Sequence, residues 1–170
     1  MEIGFGTGLN AFITFLESEK WKQKIDYVGV EAFPVSPDEV AAMNYVNELG
    51  AATYDTEFKT MHESEWEQQL VLSTGFTITK RRQFFDVISD VATFDLIYFD
   101  AFGYRVQPEL WSTAIFLKMY NALKPKGVLV TYAARGVVKR SMIEVGFSVE
   151  KLEGPPGKRE MFRATKRGSL

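Results

Sequence analysis

"MEIGFGTGLN", Met1 to Asn10, decides how the rest of the chain is read. An acid, Glu2, is followed by Gly4, Gly6 and Gly8, and then by apolar residues at helical spacing, Leu9, Phe12, Ile13 and Leu16, ending in charges by Lys20. Glycines let a backbone turn sharply and approach a ligand, and the helix N-terminus after them favours an anionic group. The pattern is G-x-G-x-G, not the G-x-G-x-x-G of a dinucleotide site. A tight turn with no ligand is the plain alternative.

Outward from that turn, strands and helices alternate. "DYVGVEAFP" reads as a buried strand over Tyr27 to Val30 that ends at Glu31. Ser36, Pro37 and Glu39 form a helix start, with Ser36 as N-cap, Pro37 in the first helical position and Glu39 closing a capping box. Gly50 should stop that helix. Residues Glu63 to Leu72 predict another helix, and the β-branched alternation of "GFTITK" (75–80) a strand. "FDLIYFDAFG" (94–103) is a continuous apolar run ending in Asp100, the pattern of a parallel strand buried on both faces. Pro108 opens a helix to Leu123, "KPKG" (124–127) is a turn, "VLVTYAA" (128–134) a buried strand and Val137 to Glu144 a short helix stopped by Gly146. Two closing strands, "FSVEKL" (147–152) and "EMFRAT" (160–165), flank the turn "EGPPGKR" (153–159). The alternation predicts an α/β fold of three layers with a mainly parallel sheet, and the two last strands add an antiparallel closing strand. That combination fits a Rossmann-like class I methyltransferase better than a dehydrogenase, whose sheet keeps alternating.

The 170 residues fit one domain, with 46% apolar and 25% charged residues. Zero cysteines exclude disulfides, thiolate zinc sites and a cysteine nucleophile, and agree with a reducing, cytoplasmic setting. No apolar run approaches the roughly 20 residues that span a bilayer, so no membrane partner is expected. No His/Asp/Glu spacing suggests a metal. The net charge of −2 hides an asymmetry: residues 1–100 carry 7 Lys+Arg against 17 Asp+Glu, whereas 101–170 carry 13 against 5. A basic second half can collect nucleic-acid phosphates, or simply form solvated faces.

An acid ahead of the glycine turn suits a ligand with an ammonium group. S-adenosylmethionine has ammonium, carboxylate and sulfonium at that end, where a dinucleotide has pyrophosphate. Glu31 closes the next strand at the spacing expected of an acid that takes ribose hydroxyls. Asp100 ends the central strand, where ligands gather in open α/β sheets; it can position an amine acceptor and help remove its proton, or merely cap the following loop. His62 is the sole histidine, lies in a charged stretch and is expected at the surface. Phe5, Phe33 and Phe102 fall beside the predicted ligand loops and can sandwich a base, or belong to the core. Lys158, Arg159 and Arg163 can meet RNA phosphate or keep the last hairpin soluble.

"EIGFGTGLN", "VEAFP", "YFDAFG" with "QPELW", "LKPKGVLVTYAA" with "VVKRSMIEVGF", and "GPPGKREM" stand in the order of the MnmC-type tRNA methyltransferase domains, and the chain resembles that family over nearly its whole length. The resemblance implies S-adenosylmethionine-dependent methylation of the 5-aminomethyl group on the tRNA wobble uridine, often 2-thiolated, with an FAD-dependent oxidase partner acting on the same nucleotide. It places Glu2, Gly4, Phe5, Gly6 and Gly8 at the cofactor's methionine end, Glu31 at its ribose and Asp100 at the acceptor amine. Such domains present an acid to adenine after the third strand; here "KRRQFFD" offers Gln83 or Asp86 instead. The loop after Asp100 reads "FGYRVQP", so Phe102, Tyr104 and Arg105, with Lys158 and Arg159, become the expected RNA contacts. Rival readings are another amine or small-molecule acceptor, or a binding module without turnover. Family members carry a first strand ahead of the glycine turn, central in the strand order 3-2-1-4-5-7-6. Its near-absence would leave two rows of unpaired backbone groups. Neighbouring strands could close the gap or another chain fill it; the favoured expectation is a domain truncated at its N-terminus, with the first strand largely missing.

Overall fold

The computed structural model describes residues 1–154, 157 and 159–168. The chain divides into two compact units, one of Glu2 and Gly4–Gln83, the other of Met1, Ile3 and Phe84–Leu170. A two-residue strand, β1 (Glu2–Ile3), therefore gives a residue to each.

The unit that holds the glycine turn continues with α1 (Leu9–Trp21), β2 (Ile25–Val30), α2 (Pro37–Ala41), α3 (Tyr45–Glu48), α4 (Asp55–Glu63), β3 (Gln69–Ser73) and β4 (Phe76–Arg81). Strands β2 and β4 run parallel, Ile25 opposite Phe76 and Val30 opposite Arg81. The amides of Gly4 and Phe5 both donate to the Val30 carbonyl at 3.0 Å, which fixes the turn beside the end of β2. Helix α1 buries Phe12 and Phe15 against Phe58 and Phe76, with ring centroids 5.0 and 5.5 Å apart. The capping box forms as expected: Ser36 Oγ accepts from the Glu39 amide and the Glu39 carboxylate from the Ser36 amide. That helix ends at Ala41 and a separate turn, α3, precedes Gly50.

The helix expected over Glu63 to Leu72 lies earlier, at Asp55–Glu63, and Gln69–Ser73 is a strand antiparallel to β4. Alternating Leu70 and Leu72 next to the Thr74–Gly75 turn make a hairpin edge, and the pairing with β4 outweighs the helical propensity of the glutamates.

The other unit contains β5 (Phe94–Phe99), α5 (Thr113–Ala122), β6 (Leu123–Thr131), α6 (Gly136–Glu144), β7 (Phe147–Glu153) and β8 (Glu160–Lys166). Strand β5 runs parallel to β6, while β8 is antiparallel to both β6 and β7. The Met1 and Ile3 carbonyls accept from the Tyr98 and Asp100 amides at 2.9 Å, and the Met1 ammonium donates to the Leu96 carbonyl at 2.8 Å. The "KPKG" turn sits inside β6 as a bulge: pairing jumps from Phe94–Leu123 to Leu96–Val128, and Lys126 takes a left-handed φ of 68°. Pro108 starts a single 3₁₀ turn to Trp111, and Ser112 then caps α5 through its Oγ. The Phe99 ring packs edge-on against Trp111 at 5.0 Å and tilted against Phe116 at 5.1 Å, forming this unit's aromatic core.

Hydrogen-bonded neighbours run β3, β4, β2, β1 in the first unit and β1, β5, β6, β8, β7 in the second. Each list carries its share of the expected order 3-2-1-4-5-7-6, with β3 as an added antiparallel edge. Of the strand expected to be largely missing, Glu2 and Ile3 pair as strand. Among the described residues, no helix is long and apolar enough to cross a membrane.

Candidate functional site

Glu31 stands one residue beyond β2 and is 8% exposed. Its Oε2 accepts from the Gly6 amide and its Oε1 from the Phe33 amide, both at 3.0 Å. The carboxylate and the glycine turn are thus one hydrogen-bonded piece. Gly4, Gly6 and Gly8 take φ of 86°, 49° and 71°, values that residues with a Cβ avoid, so the turn depends on glycine. Each carboxylate oxygen has a second lone pair, which leaves Glu31 able to accept from a pair of ligand hydroxyls.

Glu2 is 1% exposed and spends its carboxylate on Asn10 Nδ2 (2.9 Å) and the Tyr27 hydroxyl (2.8 Å), tying the turn to α1 and β2. The structure puts it beneath the turn as a brace, where sequence reasoning had it facing an ammonium group. Phe5 is 4% exposed, lies in the slot left by Gly29, packs against His62 and Trp66 at 5.9 and 6.5 Å, and lines a cavity together with Gly6.

His62 is only partly exposed. Its ring packs on Phe58 at 4.8 Å and against Gly8, and its Nε2 is buried without a hydrogen-bond partner. Burial, and then the charge of Lys80, push the imidazole down to about 4, while the Thr7 backbone pulls it upward. Lys80, 2% exposed, donates to the His62 carbonyl at 2.6 Å and lies 5.0 Å over the Trp66 ring. Burial lowers its ammonium to about 8 against an upward pull from Glu65. These groups border a cavity of about 560 Å³ roofed by Pro34, Val40, Met43 and Phe58. The signal for Lys80 was present in the strand alternation, which sets it on the same face as buried Phe76 and Ile78.

In the other unit Asp100 follows β5 directly, is exposed, and has its amide anchored on the Ile3 carbonyl. Ala101 behind it is buried, and its carbonyl accepts from the Tyr132 hydroxyl at 2.8 Å. Burial and then the Asp100 charge raise the Tyr132 phenol above its usual range, so it stays a proton donor to that loop. Phe102 is 66% exposed while its carbonyl is held by the Trp111 indole at 2.8 Å. Tyr104 and Arg105 line a cavity of about 290 Å³ with Tyr132 to Arg135. Tyr132 and Arg135 were not singled out by sequence reasoning, because a Tyr in an apolar strand reads as core.

Gln83 follows β4 half-buried as the last residue of the first unit; Asp86 is exposed in the turn Phe85–Val87 of the second. Arg159 is exposed, its carbonyl accepting from the Gly154 amide at 3.2 Å, and Lys158 lies outside the described residues. Arg163 is bound to Glu150 at 2.8 Å across the last hairpin, which accounts for its charge. Among the described residues, no group of three or more His, Asp or Glu is placed to hold a metal ion. Chemically, one unit offers a glycine turn with a fixed acid suited to a hydroxyl-bearing ligand; the other offers an exposed carboxylate suited to a cationic one.

Residues 52–167 match the model of a family described as S-adenosyl-L-methionine-dependent methyltransferase. The bifunctional protein MnmC of tRNA 5-methylaminomethyl-2-thiouridine biosynthesis from Pseudomonas entomophila is 30% identical over 99% of this chain and 27% of its own length. Its namesake from Hydrogenovibrio crunogenus is 28% identical over 95% of this chain and 25% of its own. The chain thus spans about a quarter of the curated relatives it matches. Among solved structures, MnmC2 from Aquifex aeolicus superposes with a TM-score of 0.70 at 19% identity, covering 99% of this chain and 53% of that one. A methyltransferase from Pyrococcus furiosus gives 0.58 at 18% identity, covering 99% and 74%. At these identities the structural likenesses establish the fold, a Rossmann-like methyltransferase fold.

Proposed function

The chain belongs to the S-adenosyl-L-methionine-dependent methyltransferases, and from that premise we propose that it methylates the 5-aminomethyl group of the wobble (2-thio)uridine of tRNA. The observation that carries the choice of an amine is Asp100, an exposed carboxylate anchored at the end of a buried strand. The relatives named for tRNA 5-methylaminomethyl-2-thiouridine biosynthesis support the choice of nucleotide. A cytoplasmic setting and an FAD-dependent oxidase partner acting on the same nucleotide complete the reading.

When bound, S-adenosylmethionine supplies a methyl group on a positively charged sulfur. Glu31 and the Gly6 amide bonded to it would hold the cofactor's ribose, Gly4 and Gly8 would let the turn approach its methionine end, and Gln83 or Asp86 would serve adenine. Asp100 would pair with the incoming ammonium and accept its proton, leaving the nitrogen neutral with its lone pair available for the methyl group. Phe102, Tyr104 and Arg105, with Lys158 and Arg159, hold the RNA.

The experiment is methyl transfer from labelled S-adenosylmethionine to tRNA bearing 5-aminomethyluridine at the wobble position, followed by nucleoside mass analysis. The expected result is one added methyl on that nucleoside. Label on another acceptor, with none there, overturns the assignment of substrate.

A further inference from the structure

Two arginines at the smaller cavity differ from the ion-paired cations of their unit. Lys124 is paired with Asp95, Lys151 with Glu160 and Arg163 with Glu150, each within 2.8 Å. Among the described residues, neither Arg105 nor Arg135 has a carboxylate within ion-pair distance. Instead the Arg135 guanidinium carbon stands 5.5 Å from the centroid of the Tyr104 ring. A guanidinium stacked on an aromatic ring keeps its in-plane N–H groups free to meet phosphate oxygens. Both arginines face a space of about 290 Å³, close to the lower bound of roughly 300 Å³ for small-ligand pockets, which suits one nucleoside.

The cavity is also joined to the reactive carboxylate. Tyr132, one of its walls, holds the Ala101 carbonyl at 2.8 Å, and the Asp100 charge acts on its phenol. Whatever occupies the cavity therefore lies beside the segment that presents Asp100.

We propose that this cavity seats the acceptor nucleotide, with its base against Tyr104 and its flanking phosphate on the stacked Arg135 guanidinium, so that Arg135 selects an amine carried on RNA over a free one. This rests on the wobble-uridine reading and adds to it a residue, Arg135, and a place. Single-stranded bases are recognised by stacking on aromatic and guanidinium planes, and a phosphate contact distinguishes an RNA-borne nucleotide from its free nucleoside.

The test compares wild type, Arg135→Ala and Arg135→Lys on two acceptors, an anticodon stem-loop with 5-aminomethyluridine at the wobble position and the free nucleoside. Arg135→Ala is expected to raise KM for the stem-loop by about ten- to a hundredfold, one charge-assisted phosphate contact, with kcat within about twofold. KM for the nucleoside should move less than about threefold. Arg135→Lys, which keeps the charge but not the planar stack, should recover only part of the loss. An unchanged stem-loop KM in Arg135→Ala overturns the seat while leaving the wobble-uridine reading intact. Equal losses on both acceptors with a lowered melting temperature assign Arg135 a structural role and also overturn it. If wild type methylates the nucleoside and not the stem-loop, the RNA reading itself fails, and the seat with it.

Discussion

In the proposed function two carboxylates divide the work, and their surroundings say how each substitution will read out. Asp100 is exposed and held through its backbone, so Asp100→Asn changes charge with little change of shape. Methyl transfer should slow by about 10² to 10⁴, the usual range for losing a positioned proton acceptor, with cofactor affinity within about threefold by calorimetry. Glu31→Gln should do the reverse: one amide of Gly6 or Phe33 then faces an NH₂ instead of an oxygen, the turn loosens and a hydroxyl acceptor is lost. The cofactor Kd should rise tenfold or more, while kcat at saturation holds within a few-fold. His62 gives a prediction of another kind. With its imidazole at about 4 in the folded chain and near the usual 6.5 when unfolded, the unfolded chain binds more protons between those values. Stability is therefore complete above pH 6.5 and is lost as pH falls through that window to 4, by about 3 kcal/mol at full extent. Urea melts across the window should show this slope, and His62→Gln should flatten it. Lys80, lowered to about 8, works in the alkaline range: its burial cost is present at neutral pH and is relieved as pH rises from 8 toward 10.5.

Among the elements, β2 and the glycine turn depend on each other through one absent side chain. A Cβ on Gly29 would overlap the Phe5 ring, which is already confined between His62 and Trp66. Gly29→Ala is expected to cost about 1 to 3 kcal/mol in denaturant melts, the range for overpacking, and to weaken cofactor binding because Phe5 belongs to the turn. A neutral Gly29→Ala would mean that Phe5 is free to move and that the turn does not rely on it. The glycine turn, the Ser36 capping box and the apolar run into Asp100 were all legible in the sequence, since each rests on local spacing. What surrounds them was not. Placing a helix over Glu63 to Leu72 hid the fact that Phe58, Met61 and His62 share one face of Asp55–Glu63, and so sent His62 to the surface. Lys80 was not singled out, although alternation sets it on the buried face of β4, because lysines are ordinarily solvated. Glu2 was read as a ligand group because its two partners, Asn10 and Tyr27, come from different elements, and only folding brings them to it.

For the whole molecule, the net charge of −2 says less about RNA than its distribution does. The unit containing the glycine turn holds 7 Lys+Arg against 13 Asp+Glu, while the other holds 13 against 9. Even that excess overstates the usable charge, because Lys124, Lys151 and Arg163 are matched to carboxylates in the folded chain. The proposed contacts reduce to about four, Arg105, Arg135, Lys158 and Arg159. Each phosphate neutralised contributes roughly 0.7 to 0.9 to the fall of log K with log salt, so tRNA affinity should show a slope of about −3. Raising salt from 50 to 200 mM should then weaken binding by about sixtyfold, a modest dependence beside that of a protein covering a long duplex. Changing Lys158 and Arg159 together to Ala should lower the slope by about 1.5 in a filter-binding titration, uniformly across tRNA species, because phosphate contacts carry no sequence information. Changing Lys151 to Ala should leave the slope unaltered, since its charge is already met by Glu160. If the slope survives the loss of Lys158 and Arg159, the last hairpin only solvates this end of the chain, and affinity for RNA comes from the Arg105 and Arg135 side alone.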